Sequence, residues 1–373
     1  MIRPKVLLFF EYGTLNGGEF SLLAMLEALE QTEFEFVAAA PASGMLAEQL
    51  EQCGVPVLPL TLRDTNGEKH SIEQINSHLL DLITRVSPDL VHSNSLSMGR
   101  MVGRIAPRLQ IPCTSHIRDI IRLSKKAVSD LNQNAGLIAV SNATKRFHVE
   151  QGVLSAKLQM IYNGVNTGLF CPAQAAGILK QELGLNDNAV LLANIGQICL
   201  RKGQIMLAQA AVSLAEEFPE ANYLFIGKRH SQKTESIEYE NTIRRTFRDA
   251  GIEDRLFCPG FRRDIPVILN EVDLVVHTAH QEPLGRVLLE AACCGRATVA
   301  TEVGGTSEIL TDQVSALLIP PDDPQALAVA IRRMLTDGKL RARLGQQARN
   351  AAIEKFSLGE AAANIREFWK SFL

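Results

Sequence analysis

Residues 273–308 read DLVVHTAHQEPLGRVLLEAACCGRATVATEVGGTSE, and this segment is the most informative part of the sequence. The apolar run at 273–276 predicts a buried β-strand, which passes through a short loop into a helix that opens near Gly285. Such a loop lies at the carboxyl edge of a parallel sheet, where α/β proteins bind their ligands. The free amides of the first helical turn, at Leu284, Gly285 and Arg286, would point at such a ligand and favour negative charge there.

Similar apolar runs alternate with amphipathic stretches, such as 19–30 and 72–86, from one end of the chain to the other. The predicted strands are 5–10, 35–40, 56–60, 89–92, 111–115 and 137–140 in a first series, and 190–195, 222–226, 255–258, 273–276, 297–300 and 316–319 in a second. Parallel sheets covered by helices on both faces give this alternation, so the sequence predicts two doubly wound domains. The Gly- and Pro-containing stretch 163–187 is the predicted join.

Composition is that of an ordinary globular protein. The 373 residues carry a formal net charge of −3, with 21% charged and 46% apolar residues, so the whole chain has no electrostatic preference for nucleic acid. No apolar run is long enough to span a bilayer, and the apolar run after Lys5 is too short for a signal peptide. The seven cysteines are scattered, which is typical of packing residues in a reducing compartment. We therefore expect a cytoplasmic protein.

Several binding motifs are absent from the sequence, which narrows the chemistry. No two glycines are separated by a single residue, so the Gly-x-Gly-x-x-Gly dinucleotide turn cannot occur and a dehydrogenase is a poor description. The sequence also has no phosphate loop of the Gly-x-x-x-x-Gly-Lys type, no His-Glu-x-x-His zinc helix and no Asp-x-Asp pair. We therefore expect neither a metal nor a cofactor.

Two glutamates flank the start of the predicted helix. Glu282 lies just before it, and Glu290 lies more than one turn inside it. A carboxylate can accept hydrogen bonds from two neighbouring hydroxyls, the arrangement that a sugar or a ribose diol presents. The simpler alternative makes Glu290 an i,i+4 ion-pair partner of Arg286, worth a few tenths of a kcal/mol.

The pattern EPLGRVLLE (282–290), followed by Cys294-Gly295 and Gly304-Gly305, resembles the retaining glycosyltransferases of family 4, which have the GT-B fold. The resemblance covers nearly the whole chain. Its other segments are GGEFSLLAML (17–26), TSHIRD (114–119), AVSNATK (139–145), IYNGVNTGLF (161–170), IGQICLRKG (195–203) and PGFRRDI (259–265). It implies two Rossmann-like domains facing each other across a cleft, at 1–170 for the acceptor and 171–356 for a nucleotide-sugar, with the helix 357–373 packed back on the first.

The resemblance also implies a role for individual residues. The implied catalytic residues are His116, Lys202 and Glu282. Lys202, helped by Arg201, would neutralise the departing diphosphate, Glu282 would hold hydroxyls of the donor sugar, and Glu290 would bind the ribose diol. The donor-binding residues as a whole would be Gly17, Gly18, Gln197, Arg201, Phe261, Arg262, Pro283, Leu284, Gly285, Arg286, Val287 and Glu290.

The sequence departs from the family pattern at a few of these positions. Gln197 stands where the family usually has an arginine, and Arg201 is a candidate to replace that charge. Leu284 replaces a usual phenylalanine or glycine, Thr278-Ala279 replace Pro-Ser, and Ala297 replaces a common proline. These changes bear on the identity of the donor, which the sequence leaves open between UDP- and GDP-sugars.

Charge is distributed unevenly in the first half of the chain. Residues 1–97 hold 5 Lys/Arg and 13 Asp/Glu, whereas residues 98–157 hold 10 and 3. Arg100, Arg104 and Arg108 recur at the spacing of one helix face, although Pro107 interrupts it. This face is either simply solvated, or it receives an anionic acceptor or the headgroups of the inner membrane face. With Arg118, these arginines are the candidate acceptor site.

The sequence thus favours a retaining, metal-independent transferase that moves a sugar from a UDP- or GDP-sugar to a hydroxyl of a glycan or lipid-linked acceptor. Two alternatives stay open. One is another GT-B enzyme, a nucleotide-sugar epimerase or a phosphorylase, and the other is a nucleotide-sugar-binding protein that has lost turnover.

Overall fold

The computed structural model describes residues 3–29 and 33–373. The chain forms two compact units. The first comprises the chain up to Gly164 together with Phe356–Leu373, and the second is the continuous stretch Val165–Lys355. The predicted join at 163–187 therefore begins where the first unit ends, and the second unit starts six residues before the expected boundary at 170/171.

In the first unit, the described residues form a seven-stranded parallel sheet in the order β3-β2-β1-β4-β5-β6-β7. Its strands are β1 (Lys5–Phe9), β2 (Glu35–Ala40), β3 (Val57–Pro59), β4 (Leu90–Ser93), β5 (Cys113–Ile117), β6 (Gly136–Ala139) and β7 (Leu158–Met160). The helices before the crossing to the second unit are α1 (Gly17–Ala28), α2 (Met45–Gln52), α3 (Ile72–Val86), α4 (Leu96–Ile105), α5 (Lys125–Asn132) and α6 (Asn142–Glu150). The predicted helix 19–30 corresponds to α1, although Glu30 lies outside the described residues.

The second unit repeats the plan with a six-stranded parallel sheet, within the part of the chain that is described, in the order β10-β9-β8-β11-β12-β13. Its strands are β8 (Val190–Ile195), β9 (Ala221–Ile226), β10 (Leu256–Gly260), β11 (Leu274–His277), β12 (Thr298–Thr301) and β13 (Leu317–Ile319). Its helices are α7 (Ile178–Glu182), α8 (Ile205–Leu214), α9 (Thr234–Asp249), α10 (Ile265–Glu271), α11 (Arg286–Cys293), α12 (Thr306–Ile309), α13 (Pro324–Thr336) and α14 (Gly338–Lys355). The predicted fold class, two Rossmann-like parallel sheets with alternating helices, is confirmed.

Local sequence explains why the elements begin where they do. Helix α3 occupies Ile72–Val86, the range that its amphipathic pattern predicts, because a reciprocal capping box precedes it. The Ser71 side chain accepts from the Gln74 amide, and the Gln74 side chain bonds back to the Ser71 amide at 2.9 Å. Such a cap stabilises a helix by about 1 kcal/mol.

The last helix, α15 (Leu358–Lys370), belongs to the first unit. Its apolar face buries Ile365, Phe368 and Trp369 against β1, β2 and α1. Trp369 is fully buried, and its ring meets those of Phe34 and Phe36 with centroids 5.8 and 5.9 Å apart. The helix therefore completes a core whose residues from β1, α1 and β2 lie more than 300 residues earlier in the chain.

The strand β7 was not predicted. It is a three-residue edge strand that follows a short 3₁₀ helix at Ser155–Lys157, and Gln159 in its centre interrupts any apolar run. No helix among the described residues is long and apolar enough to cross a lipid bilayer.

Candidate active site

Two loops of the second unit meet at the carboxyl edge of its sheet. One follows β8 and ends in the 3₁₀ helix Leu200–Lys202, and the other joins β11 to α11. Because β8 and β11 are neighbouring strands, the loops lie side by side. They bring Lys202 Nζ within 2.5 Å of Glu282 Oε2, and both side chains are largely buried, with 15% and 8% exposed. The sequence assigned these two residues to one site, and within the second unit they form an ion pair.

Hydrogen bonds to backbone carbonyl groups hold the two loops together. The Thr278 hydroxyl donates to the Lys202 carbonyl at 2.9 Å, and the His280 amide donates to the Arg201 carbonyl at the same distance. Arg201 Nη1 in turn donates to the Gln281 carbonyl at 3.0 Å. Gly203, at φ +60°, is required here, because a Cβ atom would lie 2.1 Å from the Thr278 carbonyl oxygen. The position of Lys202 is therefore fixed by the contacts of its loop with residues 278–281.

His277, the last residue of β11, is a second partner of Glu282. Its Nε2 lies 3.0 Å from Glu282 Oε2, and the side chain is 4% exposed. Burial lowers the pKa of His277, against the opposing effect of Glu282, so the neutral ring donates from Nε2 to the carboxylate. Its Nδ1 is buried and has no hydrogen-bond partner among the described residues.

His277 is not among the site residues predicted from the sequence. The available signal was a histidine that ends an otherwise apolar strand at the ligand-binding edge of a parallel sheet. Its effect is on Glu282. Burial alone would raise the pKa of this carboxyl, but Lys202 and His277 outweigh burial and hold the pKa well below its ordinary value. Glu282 is therefore a fixed anion over the working pH range.

Glu290 lies on the inner side of α11 and is 5% exposed. Arg286 Nε donates to Glu290 Oε1 at 2.6 Å, so the i,i+4 pair that the spacing allowed is present. Burial raises the pKa of Glu290, and the Arg286 guanidinium opposes this shift.

The glycine turn at 304–305 holds the loop that carries Glu282. The Gly305 amide donates to the Glu282 carbonyl at 2.8 Å. A Cβ at Gly304 would lie 1.9 Å from that carbonyl oxygen, and one at Gly305 would lie 2.6 Å from Leu284 Cα. At the start of α11, Gly285 adopts φ +111°, a backbone conformation that residues with a Cβ atom rarely adopt. The predicted loop-to-helix turn therefore depends on close backbone packing.

The remaining donor-side predictions fall into two groups. Gln197, Arg201 and Phe261 are exposed, and Lys228 Nζ lies 5.9 Å from the Phe261 ring centroid. Pro283 and Val287 are partly exposed, whereas the Leu284 side chain is 2% exposed and leaves only its backbone for a ligand.

Arg262, a predicted donor-binding residue, lies between two carboxylates. It donates to both carboxylate oxygens of Asp264, at 2.8 and 2.7 Å, and forms a further ion pair with Glu182 on α7. The hydrogen bonds to these carboxylates raise the pKa of the Arg262 guanidinium above its ordinary value. Its charge is thus matched by two carboxylates, and it fastens the loop 259–265 to α7.

In the first unit, His116 lies on β5 and is 1% exposed. Its Nδ1 is 2.8 Å from Nε2 of His92 on β4, and the indole Nε1 of Trp369 is 3.2 Å from Nδ1 of His92. Burial lowers the pKa of both histidines, helped by the nearby Arg118, to about 3 for His92. Both rings are neutral, and Nε2 is the His116 nitrogen left for a ligand.

The glycine loop before α1 contacts Arg118. A Cβ at Gly18 would lie 2.9 Å from Arg118 Cδ, whereas Gly17 faces open space. Arg118 donates to the side-chain oxygens of Asn94 at 2.9 Å and Asn163 at 2.7 Å, and Asn94 Nδ2 donates to the Gly18 carbonyl at 3.2 Å. Gly18 and Arg118, which the sequence placed in separate donor and acceptor groups, are thus neighbours.

The three arginines of the predicted basic face have different surroundings. Arg104 Nε pairs with Asp130 at 2.9 Å, and both side chains are mostly buried. Arg100 is partly buried, and Arg108 is exposed but lies beyond α4, in the 3₁₀ turn Ala106–Arg108. The three arginines therefore do not form one continuous basic helix face, because Arg104 forms an ion pair with Asp130 inside the unit and Arg108 lies beyond α4.

Two family models match the chain. The model described as Glycosyltransferase Family 4 matches residues 15–169, and the model described as Glycosyl transferases group 1 matches residues 177–351.

Three similar proteins illustrate the match. The UDP-Gal:alpha-D-GlcNAc-diphosphoundecaprenol alpha-1,3-galactosyltransferase of Escherichia coli is 24% identical, covering 95% of this chain and 94% of its own. The D-inositol 3-phosphate glycosyltransferase of Xylanimonas cellulosilytica is 28% identical over 75% of this chain and 71% of its own. The crystal structure of Anabaena HepE in complex with UDP has a TM-score of 0.86 and 25% identity, over 98% of this chain and 100% of that one.

Each family model lies mainly within one unit and contains the segments that carry the candidate site of that unit. The chain is a glycosyltransferase and belongs to the family 4, group 1 glycosyltransferases with the GT-B fold.

Proposed function

We propose that this glycosyltransferase moves a sugar from a UDP-sugar to a hydroxyl group of a phosphate-bearing acceptor, with retention at the anomeric carbon and without a metal ion. The observation that carries the proposal is the buried Lys202–Glu282 pair. It places a fixed cation and a fixed anion side by side at the ligand-binding edge of the second sheet.

The cation suits a departing diphosphate. Lys202 lies on a loop whose position is fixed by hydrogen bonds to its backbone, and the exposed Arg201 lies on the same loop. Transferase chemistry builds negative charge on the leaving diphosphate, and a fixed cation stabilises that charge without reorganising in the transition state. This supports departure assisted by Lys202 and Arg201 in place of a divalent ion.

The anion suits sugar hydroxyls. Glu282 stays ionised, and a carboxylate accepts from hydroxyl groups. Its Oε2 already accepts from both Lys202 and His277, which lowers the nucleophilicity of that oxygen. This supports a front-face reaction, in which the acceptor oxygen bonds to the anomeric carbon while the bond to the diphosphate breaks. The acceptor proton passes to the leaving diphosphate.

Glu290 is proposed to accept from the two ribose hydroxyls, and the amides at the start of α11 are proposed to face the diphosphate. The nucleotide is assigned as UDP because the Escherichia coli relative is named for a UDP-galactose donor and HepE was crystallised with UDP. His116, Gly17 and Gly18 of the first unit are proposed to contact the transferred sugar or the acceptor.

The acceptor is proposed to carry phosphate. The names of two relatives specify a diphosphoundecaprenol and an inositol 3-phosphate acceptor. The stretch 98–157 has an excess of basic residues, which would attract such a group.

A panel of UDP- and GDP-sugars read by thermal shift tests the donor. A bound donor stabilises the protein by RT ln(1 + [L]/Kd), so UDP-sugars should raise the melting temperature more than GDP-sugars. Product analysis by NMR, with and without EDTA, then tests the reaction. An α-linked product from an α-linked donor in EDTA is the expected result.

The same product analysis separates the alternatives. Turnover without an acceptor would indicate an epimerase, and a strict need for inorganic phosphate would indicate a phosphorylase. Donor binding without any turnover would indicate a binding protein. Loss of activity in EDTA that Mn²⁺ restores would overturn the metal-independent mechanism.

A further inference from the structure

Three buried side chains form a hydrogen-bonded chain across one face of the first sheet. It runs from Trp369 on α15 through His92 on β4 to His116 on β5. Trp369 and His92 are 0% exposed and His116 is 1% exposed, so water does not compete for these contacts. Trp369 comes from the far end of the chain, 277 residues from His92.

The chemistry of the indole ring determines where the protons lie. Trp369 Nε1 carries a hydrogen and has no lone pair to accept with, so His92 Nδ1 must be the acceptor. A neutral His92 then carries its proton on Nε2, and it donates that proton to Nδ1 of His116. A neutral His116 therefore carries its own proton on Nε2.

Thr114 shows that the opposite arrangement is available. Its hydroxyl lies 2.9 Å from His92 Nδ1 and 3.1 Å from the Val91 carbonyl. If His92 Nδ1 were protonated, it would donate to Thr114, which would donate to Val91. His92 Nε2 would then accept from His116 Nδ1, and His116 Nε2 would be left as an acceptor. Thr114 is compatible with both patterns, and Trp369 is compatible with only one.

We propose that Trp369 is a positioning residue that fixes the tautomer of His116, so that His116 presents an N–H donor at Nε2. This rests on the proposed function in one respect, namely that the ligand at Nε2 is an oxygen atom of the sugar or the acceptor. His116 is then a hydrogen-bond donor to substrate and does not take the proton of the acceptor hydroxyl.

Burial supports the two-tautomer description. It lowers the pKa of both histidines, so a doubly protonated ring does not compete with the neutral forms at neutral pH. Only the two neutral tautomers compete, and a single indole N–H donor is enough to favour one of them.

The test is long-range ¹H–¹⁵N NMR of the full-length protein labelled at histidine, because the ring-nitrogen shifts distinguish the two tautomers. His92 and His116 are assigned by comparison with His92→Gln and His116→Gln. In the wild-type protein both should carry the proton on Nε2. A proton on Nδ1 of His116 in the wild-type protein overturns the proposal without any need for a Trp369 variant.

Replacing the indole tests the cause. Trp369→Phe should move the proton of both histidines to Nδ1. Trp369 is the single tryptophan of the chain, so biosynthetic replacement by benzothienylalanine removes the N–H and keeps the ring shape. Unchanged tautomers in both proteins would overturn the proposal.

Two variants are matched controls. Phe34→Leu disturbs packing against the Trp369 ring and keeps the indole N–H, and Thr114→Val removes the competing hydroxyl. Both should keep the proton on Nε2 of His116. A switch in Phe34→Leu would assign the effect to packing, and a switch in Thr114→Val would assign it to Thr114. Either result overturns the proposal.

Kinetics connect the tautomer to substrate. Trp369→Phe should lower kcat/KM for transfer by about tenfold, the cost of about one hydrogen bond. In a His116→Gln background, whose amide can donate in either case, Trp369→Phe should have little further effect. If the tautomer switches while kcat/KM stays the same in all variants, the tautomer assignment stands and the proposed substrate contact of His116 is wrong.

Discussion

Lys202 and Glu282 are 80 residues apart in sequence and 2.5 Å apart in the folded second unit, with most of both side chains buried. Each charge therefore depends on the other, since a buried charge without a partner is costly. A nucleotide-sugar would offer phosphate to the lysine and hydroxyls to the glutamate. The pair thus keeps both charges in place at the ligand-binding edge of the sheet.

Lys202→Ala should lower turnover by roughly 10²–10³, the effect of losing one transition-state electrostatic contact. It should also lower the free energy of unfolding by about 3 kcal/mol, because Glu282 is left buried without its ammonium partner. Steady-state kinetics and urea unfolding measure the two effects. Lys339→Ala, which removes an exposed lysine at the start of α14, is the control and should match the wild type in both. Full activity of Lys202→Ala would refute its role at the diphosphate.

His277→Leu should flatten the pH dependence of stability. The folded-state pKa of His277 lies below its unfolded value of 6.5, so the unfolded chain takes up a proton that the folded chain does not. Wild-type stability should therefore fall as the pH drops below about 6.5, with a slope of up to about 1.4 kcal/mol per pH unit from this group.

Urea unfolding between pH 7 and pH 5 tests this, and the His277→Leu curve should be the flatter one. At pH 7 the variant should unfold at a similar denaturant concentration to the wild type. It loses one hydrogen bond to Glu282 but also removes the unpartnered buried Nδ1. Parallel pH curves for the two proteins would contradict the assignment of a buried neutral ring.

Glu290→Gln should weaken UDP binding by about tenfold or more, because a charged acceptor of ribose hydroxyls becomes a neutral one. Calorimetric titration with UDP measures this. Arg286→Gln is the matched variant, since it breaks the same ion pair from the other side and keeps the carboxylate. If both variants bind UDP as the wild type does, Glu290 serves only as the helix partner of Arg286.

Arg100→Gln with Arg108→Gln should raise the KM for a phosphate-bearing acceptor and reduce the sensitivity of transfer to salt, because a screened charge contact is removed. UDP binding should not change. Binding to vesicles that contain anionic lipid should weaken by about 1 kcal/mol per charge if the surface also meets a membrane.

Arg104→Gln provides the contrast. Arg104 pairs with Asp130 inside the unit, so its loss should lower the free energy of unfolding by about 2 kcal/mol and leave the salt dependence unchanged. A double Arg100/Arg108 variant that matches the wild type in KM, salt response and vesicle binding would identify the surface as an ordinary solvated one.

The fold could be predicted because its information is local. The strand at 190–195 and the helix at 72–86 occupy the ranges that their apolar periods indicate, and alternation of the two periods specifies a doubly wound sheet. The loops that carry Lys202 and Glu282 could be placed for the same reason, because each follows a strand and precedes a helix. Their contact in the second unit then follows from the adjacency of β8 and β11.

The parts that could not be predicted depend on side chains brought together from distant segments. Arg104 pairs with Asp130 and Arg262 pairs with Glu182, and in neither pair do the two residues lie on the same element. The contact of His92 with Trp369 requires the position of α15, which no local pattern gives. Edge strand β7 is too short for its period to be recognised.

The position of α15 has a consequence for synthesis of the protein on the ribosome. The second unit is one continuous segment and can fold as soon as Lys355 has emerged. The sheet of the first unit is translated before the second unit, but it lacks Trp369 and the apolar face of α15 until the residues after Lys355 have also emerged. Its nascent sheet exposes Phe34, Phe36 and His92 throughout that interval. The unit whose sheet is synthesised earlier is therefore completed later than the second unit.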